Sequence, residues 1–236
     1  MAGRAFLLSK RPTVSICSGV EMIEVGNVAG NYYDKYHVRN PVARYLMNRF
    51  LTQFDELTTV TGAATAYEVG CGEGHLSLRL LHRGLQVRGC DLDAPVARKA
   101  SEAASAAGFR AEFSARSIYD LAPNDATADL VVCCEVLEHL PDPHSALRVL
   151  TALARPWLLV SVPREPIWRV LNVARGKYLA SAGNTPGHIQ HWSTNSFVAL
   201  LRRHASIIEI RRPFPWTMVL CRIDRQSGRS DDRGPG

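Results

Sequence analysis

Three alternating glycines after a short apolar run form the part of the chain with the clearest chemical meaning. The run contains Glu68 and Val69, and the glycines are Gly70, Gly72 and Gly74. Because glycine has no Cβ, such a turn can adopt positive φ and let the backbone approach a ligand closely, at the N-terminus of the next helix. The pattern predicts a strand that turns tightly into a helix around a bound ligand.

The spacing of the glycines and one later carboxylate indicate the class of ligand. A dinucleotide fingerprint, Gly-x-Gly-x-x-Gly, would place its third glycine at position 75, where this chain has His75. Asp91 lies 17 residues after Gly74, at the end of a predicted strand. A carboxylate there can accept hydrogen bonds from both hydroxyls of a ribose. An aspartate in this place can also cap a helix, but with the glycine loop it favours a nucleoside ligand.

A second group of polar residues, Glu135, Glu138 and His139, follows an apolar run from Ala128 to Cys134. The run predicts a central strand, so Glu135 is expected at the C-terminal edge of the sheet, where open α/β sheets bind ligands. On a helix, residues three and four apart share one face. Two carboxylates and an imidazole on one face could bind a hard divalent cation or transfer a proton.

Alternating strand and helix patterns predict the scaffold that positions these groups. Strands are expected near residues 66–69, 85–90, 111–114, 128–134, 157–162, 206–211 and 216–222, and helices near 41–57, 75–82, 94–107, 143–153 and 194–204. This alternation predicts an α/β fold with a doubly wound, mostly parallel, seven-stranded sheet. The link from Pro213 to Trp216 is too short for a helical crossover, so the last strand is expected to be antiparallel.

The glycine loop, Asp91 and the fourth-strand segment resemble the motifs of class I S-adenosylmethionine-dependent methyltransferases. The resemblance covers Ala66 to Arg222 and implies a Rossmann-like methyltransferase fold with S-adenosylmethionine as cofactor. It implies that Glu68 lies near the methionine amino group and that Asp91 binds the ribose. It also implies cofactor contacts from the glycine loop (Gly70, Gly72 and Gly74) and an apolar contact to adenine from Leu92. Ser117 and Ile118 would border the base, and Glu135 would contact the cofactor at the end of the fourth strand.

The Glu-x-x-Glu-His pattern also resembles a metal-binding motif of two O-methyltransferase groups, those of ubiquinone biosynthesis and those that methylate the 2′-hydroxyl at small-RNA 3′ ends. In both groups another histidine comes from the region after the fifth strand; here His188 fits best, and His191 second. The resemblance implies a site for Mg²⁺ or another divalent cation made by Glu135, Glu138, His139 and His188. In metal-free relatives with the same pattern, Glu135 borders the cofactor instead. His139, His188 or His191 could also take the proton of a hydroxyl acceptor.

The segment from Arg164 to Trp192 is the longest irregular stretch of the pattern. Its first part is amphipathic, with aliphatic and aromatic side chains set against four basic ones: Ile167, Trp168, Val170, Leu171 and Val173 against Arg164, Arg169, Arg175 and Lys177. Because the segment follows a strand at the ligand edge, it is expected to wall the acceptor site and to hold an anionic or prenylated acceptor. A lid helix packed on the sheet and a peripheral contact with a membrane are the alternatives.

Composition and charge limit the kinds of partner and compartment. The 236 residues are 46% hydrophobic, enough for one large domain, and no apolar stretch approaches the roughly 20 residues of a membrane helix. Most of the formal charge of +6 lies in the flanks, since residues 21–221 carry 21 basic and 19 acidic side chains. A nucleic-acid partner is therefore not favoured.

Six cysteines without a Cys-x-x-Cys pattern indicate buried thiols of a cytoplasmic protein.

Together these patterns predict one domain with one main activity. The methyltransferase domain is expected over residues 25–222, between a flexible extension at 1–24 and a disordered tail at 223–236. The expected activity is S-adenosylmethionine-dependent O-methylation of a small or lipid-like acceptor, and no oligomeric state is indicated. Three alternatives stay open: a metal-dependent RNA 2′-O-methyltransferase, an NAD oxidoreductase, and a non-catalytic scaffold with the same fold.

Overall fold

The computed structural model describes residues 40–224. The predicted extension at 1–24 and all but the first two residues of the predicted tail lie outside this part, so the domain boundaries stay a prediction. The strands are β1 (Thr65–Val69), β2 (Gln86–Asp91), β3 (Glu112–Ala115), β4 (Ala128–Cys134), β5 (Ala154–Pro163), β6 (Ser206–Arg211) and β7 (Trp216–Arg222). The α-helices are α1 (Pro41–Thr61), α2 (His75–His82), α3 (Ala94–Ala106), α4 (Pro123–Ala126), α5 (Pro143–Leu153), α6 (Ile167–Ala174) and α7 (Thr194–Leu201).

The strands form one seven-stranded sheet in the order β3-β2-β1-β4-β5-β7-β6. Neighbours from β3 to β5 are parallel, whereas β7 is antiparallel to both β5 and β6. This confirms the predicted doubly wound sheet with a reversed last strand. As a result, the C-terminal ends of β1, β4 and β5 and the first residue of β7 lie along one side of the sheet, which we call the C-terminal edge. In open sheets this edge binds ligands.

The residues at the two ends of helix α1 explain where the helix begins and ends. The Asn40 side chain accepts hydrogen bonds from two backbone N–H groups of the first turn, and Pro41 is the first helical residue. Gly62 ends the helix in the left-handed conformation, with φ 59°. The helix therefore continues one turn beyond its predicted end at Leu57. Its buried side chains pack on the sheet: Met47, Phe50, Phe54 and Leu57.

Helices cover both faces of the sheet, so β4 lies at the centre of the core. Leu130 and Val132 pack on the face of α1 and α2, whereas Val131 and Cys133 pack on the face of α5 and α7. All four side chains are fully buried, as predicted for a strand that is apolar on both faces. Complete burial of one such aliphatic side chain contributes about 1.5–3 kcal/mol. The residues that follow β4 are thus held by a strand that is buried on both faces.

The segment after β5 is more regular than its sequence pattern predicts. Helix α6 begins at Ile167, and a side-chain bond between the helix and the returning loop explains its position. The buried Asn172 amide donates to the Gly183 carbonyl oxygen at 2.9 Å and to Thr185 Oγ1 at 3.1 Å. Gly183 has to be small, because a Cβ there would lie 2.2 Å from the carbonyl oxygen of Arg169.

Candidate active site

The glycine loop lies at the C-terminal edge and is tied to the neighbouring strand. The backbone N–H groups of Gly70 and Cys71 both donate to the Cys90 carbonyl oxygen, at 2.8 and 3.0 Å. Gly70 has φ 72°, and a Cβ at this position would lie 2.3 Å from Val136 Cγ2. The loop therefore needs glycine both for its left-handed backbone and for its contact with the residue after Glu135. The N-terminus of α2 follows, a suitable place for an anionic group of a ligand.

Asp91 is fixed by the loop that it faces. Its Oδ2 accepts a hydrogen bond from the Gly72 N–H at 2.9 Å, and its Oδ1 accepts one from the Asp93 N–H at 3.0 Å. These bonds orient both oxygens, and each carboxylate oxygen has a second lone pair that can accept from a ligand hydroxyl. Asp91 is only partly buried, so the structure places it where the sequence predicts a ribose-binding carboxylate.

Glu68 lies below the glycine loop, inside the sheet. It is 3% exposed, and Ser77 Oγ of α2 donates a hydrogen bond to Oε2. Burial raises the pKa of the Glu68 carboxyl to about 8; nearby Asp91 acts in the same direction, and the Ser77 bond opposes it. The protonated form is therefore favoured at neutral pH in the ligand-free protein. A cationic group brought close to this carboxyl would favour its ionised form.

The predicted adenine-side residues differ in their access to solvent. Leu92 is 65% exposed beside Asp91. Ser117 caps a short 3-10 turn, since its Oγ accepts a hydrogen bond from the Tyr119 N–H at 3.3 Å. Ile118 is 5% exposed and packs in the core of the α5 face. Leu92 and Ser117 are thus at the surface of this region, whereas Ile118 supports it from below.

Glu135 follows β4 at the C-terminal edge, but it is not helical. Its φ of 60° lies in the left-handed region, and the helical turn begins only at Leu137–His139 as a 3-10 turn. The expectation that Glu135, Glu138 and His139 share one helix face is therefore wrong. Instead, Glu135 Oε1 accepts from Ser161 Oγ at 3.1 Å, and Oε2 accepts from Trp216 Nε1 at 2.7 Å. These tertiary contacts, which the local pattern does not contain, set the direction of the side chain.

Three of the four predicted metal ligands do come together. Glu138, His139 and His188 each offer one ligand atom, and these atoms lie within 4.8 Å of one another. Glu138 and His188 are 2% and 8% exposed. His139 Nδ1 lies 2.9 Å from the Gly187 carbonyl oxygen; since a carbonyl only accepts, the ring donates there. The basic lone pair of the neutral ring is then on Nε2, which lies 4.0 Å from Glu138 Oε1.

The loop that carries His188 is attached to the turn that carries Glu138. The N–H groups of Ile189 and Gln190 both donate to the Glu138 carbonyl oxygen, at 2.9 and 3.0 Å. His191 follows this attachment, is exposed, and has Nε2 2.8 Å from Asn184 Oδ1. Its ring is not part of the group formed by Glu138, His139 and His188. Of the three histidines predicted as possible proton acceptors, His139 and His188 are in this group and His191 is outside it.

An aromatic wall next to the histidines was not predicted from the sequence as a unit. It consists of Phe50 of α1, Trp168 of α6 and Trp216 of β7. The ring centroid of Trp216 lies 5.2 Å from that of Phe50 and 5.8 Å from that of Trp168. Trp168 in turn stacks on His188, with the centroids 6.2 Å apart and an angle of 22° between the ring planes. The reversal of β7 was predicted, and it was the signal that could have placed Trp216 at this edge.

Known proteins match the part of the chain that carries these features. The profile of the family described as "Methyltransferase domain" matches residues 66–156, from β1 into the beginning of β5. This range contains the glycine loop, Asp91 and the turn after β4.

Two curated relatives extend the similarity. The protein named "Ubiquinone biosynthesis O-methyltransferase" of Xanthomonas axonopodis pv. citri (strain 306) is 27% identical over 164 residues, which is 68% of this chain and 68% of that protein. The protein of the same name from Bordetella avium (strain 197N) is 29% identical over 162 residues, 65% of this chain and 64% of that protein. The chain thus spans about two thirds of the length of each relative.

Solved structures share the fold over most of the chain. Magnesium protoporphyrin IX methyltransferase (ChlM) from Synechocystis PCC 6803, with bound SAH, has a TM-score of 0.62 at 19% identity and covers 81% of this chain and 91% of its own. The N-methyltransferase NodS from Bradyrhizobium japonicum WM9 has a TM-score of 0.60 at 15% identity, over 77% of this chain and 98% of its own. Residues 66–156 therefore match a methyltransferase domain, the chain has the Rossmann-like fold of the solved methyltransferases, and it is similar to the ubiquinone-biosynthesis O-methyltransferases.

Proposed function

We propose that the chain transfers the methyl group of S-adenosylmethionine to a hydroxyl oxygen of a small or lipid-like acceptor. The observation that carries the proposal is the position of His139 next to the aromatic wall, at the same edge as the glycine loop. A hydroxyl acceptor has to lose its proton, and the bond from His139 Nδ1 to Gly187 puts the basic lone pair on Nε2. The names of the curated relatives, which are O-methyltransferases, point the same way.

In this proposal the cofactor half of the site is made by residues around the glycine loop. Asp91 accepts hydrogen bonds from the ribose hydroxyls, and Glu68 faces the methionine amino group through the loop. Leu92 provides an apolar contact to adenine, with Ser117 and Ile118 on the side of the base. Gly70, Gly72 and Gly74 allow the backbone to approach the methionine part, and Glu135 borders the sulfonium side.

The transfer itself needs alignment more than covalent chemistry. The acceptor oxygen attacks the methyl carbon in line with the carbon–sulfur bond; a carbon–oxygen bond forms while that bond breaks, and S-adenosylhomocysteine leaves as a neutral thioether. The hydroxyl proton passes to Nε2 of His139, with His191 as the second candidate. Holding donor and acceptor in line can supply several kcal/mol of the required barrier reduction.

As an alternative to His139 acting as the base, we propose that Glu138, His139 and His188 hold a divalent cation, Mg²⁺ or another; Nε2 of His139 would then bind the cation instead of taking the proton. The donor set fits: one carboxylate and two imidazoles suit the later first-row ions better than Mg²⁺. His139 also donates its second ring N–H to a backbone carbonyl, as metal-bound histidines commonly do. Glu135, the fourth predicted ligand, is hydrogen-bonded to Ser161 and Trp216. A bound cation would lower the pKa of a coordinated hydroxyl.

A thermal-shift experiment tests this cation without any acceptor. After treatment with EDTA, adding Mn²⁺, Zn²⁺ or Mg²⁺ should raise the Tm of the wild type and leave the Tm of His188→Gln unchanged. Exposed His82→Gln is the matched control and should respond like the wild type. Equal responses of wild type and His188→Gln would remove the cation from the proposal.

Helix α6 supports a lipid-like acceptor and a peripheral membrane contact. Among the helices of residues 40–224, none is long and apolar enough to cross a bilayer. The outer face of α6 carries Val170 and Val173, 62% and 44% exposed, beside Arg169, which with them lines an apolar groove of about 310 Å³. Apolar side chains next to arginines suit an interface with anionic lipid. In flotation with anionic vesicles, Val170→Asp should bind less than the wild type.

A cytoplasmic location agrees with the state of the cysteines. Among the described residues, Cys71, Cys90, Cys133, Cys134 and Cys221 are buried free thiols. Such unpaired thiols are typical of a reducing compartment. We therefore keep the cytoplasm as the proposed location.

The activity test uses the full chain, radiolabelled S-adenosylmethionine and three kinds of acceptor. Calorimetry should first show binding of S-adenosylmethionine and S-adenosylhomocysteine. Methyl transfer is then measured to catechol, to catechol with an alkyl chain, and to a short RNA duplex. Transfer to the catechols with large loss in His139→Gln and little in His191→Gln supports the proposal. Transfer to RNA alone would favour the 2′-O-methyltransferase alternative, which the same Glu138, His139 and His188 group could serve.

A further inference from the structure

Trp216 reaches the C-terminal edge because β7 runs against the other strands. It is the first residue of β7 and pairs with Pro163, the last residue of β5. A tight turn precedes it, with the Trp216 N–H donating to the Pro213 carbonyl oxygen at 2.6 Å. Its side chain is 5% exposed. A large, buried side chain therefore stands on a strand rather than on a loop, at the edge where the donor and acceptor meet.

The indole of Trp216 contacts three elements that are far apart in sequence. Its Nε1–H donates to Glu135 Oε2 after β4 at 2.7 Å. Its ring packs edge-on against Phe50 of α1 and at 52° against Trp168 of α6. A buried indole N–H requires an acceptor, and here the acceptor is a carboxylate, which gives a charge-assisted bond. Trp216 thus links α1 and α6 to the residue at the end of the central strand.

Glu135 depends on this link for its conformation. A glutamate does not favour a φ of 60°, so the surrounding structure has to hold it there. Ser161 holds the backbone, because its carbonyl oxygen accepts the Glu135 N–H at 3.0 Å, and its hydroxyl donates to Oε1. Trp216 holds the other carboxylate oxygen. With both oxygens fixed, the carboxylate has one direction relative to the glycine loop, whose Gly70 lies against the next residue, Val136.

From these contacts we infer that Trp216 is a positioning residue for methyl transfer: its indole N–H fixes the carboxylate of Glu135, and its ring sets one side of the acceptor site. The inference rests on the proposed function where it assigns the acceptor side to this wall. The bond to Glu135 does not depend on the acceptor and can be tested by itself.

The test compares Trp216→Phe with Trp157→Phe. Phenylalanine keeps a ring against Phe50 and Trp168 but has no N–H. Trp157 lies at the opposite end of the same β5–β7 pair, opposite Arg222, and provides the matched control. Crystal structures with S-adenosylhomocysteine should show Glu135 displaced in Trp216→Phe and unchanged in Trp157→Phe. A Glu135 that keeps its φ and carboxylate position in Trp216→Phe would overturn the inference.

Kinetics with catechol as acceptor give the second readout. In Trp216→Phe we expect kcat to fall about 10- to 100-fold, as for a reacting group displaced by about 1 Å, while the Kd for S-adenosylmethionine changes less than about 3-fold. An unchanged kcat, or an equal loss in Trp157→Phe, would overturn the positioning role. If the wild type transfers no methyl to catechol, the proposed acceptor fails, and the crystal structures still decide whether Trp216 fixes Glu135.

Variants of Glu135 cover the case in which Trp216→Phe does not fold. The amide of Glu135→Gln keeps an oxygen that can accept the indole N–H, whereas Glu135→Ala has none. Hydrogen exchange of the Trp216 indole N–H, followed by NMR, should be slow in the wild type, intermediate in Glu135→Gln and at least 10-fold faster in Glu135→Ala. Equal exchange in all three proteins would show that the bond does not hold the two residues together.

Discussion

Replacing Glu68 by glutamine should make the protein more stable above neutral pH. Glu68 is buried under the glycine loop, where burial raises its pKa from 4.5 to about 8. The folded protein therefore keeps a proton on Glu68 in a pH range in which the unfolded chain has lost it. Under these conditions stability decreases as pH rises. The contribution is complete below the unfolded pKa and is lost as pH rises through the folded pKa.

The size of the effect follows from the difference between the two pKa values. Each pH unit in this window changes the free energy of unfolding by about 1.4 kcal/mol. Between pH 4.5 and 8 the wild type should therefore lose about 3–5 kcal/mol through Glu68 alone. Glutamine has nearly the same shape, can keep the bond with Ser77, and does not ionise, so Glu68→Gln should not show this loss.

Urea unfolding at pH 5.0 and pH 8.5 measures the effect as a difference between variants. The difference cancels the titration of every other group that both proteins share. Glu112→Gln is the control, since Glu112 is exposed on the edge strand β3, and it should follow the wild type at both pH values. Parallel loss of stability in Glu68→Gln and in the wild type would refute the assignment of a buried, protonated Glu68.

The same experiment connects stability with cofactor binding. If the methionine amino group approaches Glu68, binding should ionise the carboxyl and release a proton near pH 7. Calorimetry in two buffers with different ionisation enthalpies would show that proton. Glu68→Gln should bind S-adenosylmethionine more weakly and release none.

Three further predictions concern the loop, the ribose side and a histidine pair. Gly70→Ala should lower Tm and abolish cofactor binding, because its Cβ would lie 2.3 Å from Val136 Cγ2 and its φ is 72°; adding Val136→Ala should recover part of the Tm. Asp91→Ala should weaken S-adenosylmethionine binding about 10- to 100-fold in calorimetry, through loss of charge-assisted bonds of about 1.5–3 kcal/mol. His144 Nδ1 lies 3.1 Å from His204 Nε2, and burial lowers the pKa of His204. Its contribution to stability should be complete above its ordinary value of 6.5 and lost as pH falls through the folded pKa, so His204→Gln should flatten this loss in urea unfolding.

The parts of the site that could be predicted are those whose chemistry is local. The glycine loop and Asp91 are separated by one helix and one strand, and both partners of the bond between Gly72 and Asp91 lie in that unit. The mostly parallel sheet and the reversed β7 also follow from local patterns and link lengths. Both the loop and its partner depend on particular residue types. The left-handed backbone of the loop favours glycine, and Asp91 provides the carboxylate oxygen that the loop contacts.

The parts that could not be predicted depend on contacts between distant residues. A helix was expected to include Glu135, but Ser161 and Trp216 hold it in a left-handed conformation, and Trp216 is 81 residues further along the chain. The aromatic wall likewise combines α1, α6 and β7. In the segment after β5, helix α6 is fixed by bonds from the Asn172 side chain to residues 183 and 185 of the returning loop, which the local pattern does not contain.

The attachment of the segment after β5 makes it an exchangeable unit. At its base, the Glu165 N–H donates to the Trp192 carbonyl oxygen at 2.9 Å, so the chain leaves the sheet and returns at neighbouring points. Near its end, Ile189 and Gln190 bind the Glu138 carbonyl oxygen through their backbone. These bonds join backbone atoms, and the Gln190 side chain adds one more, since its Nε2 donates to the Leu140 carbonyl oxygen at 3.1 Å. Under the proposed function, residues between these points other than His188 can therefore vary, or be grafted from a methyltransferase, to change the choice of acceptor while the residues around the glycine loop stay the same.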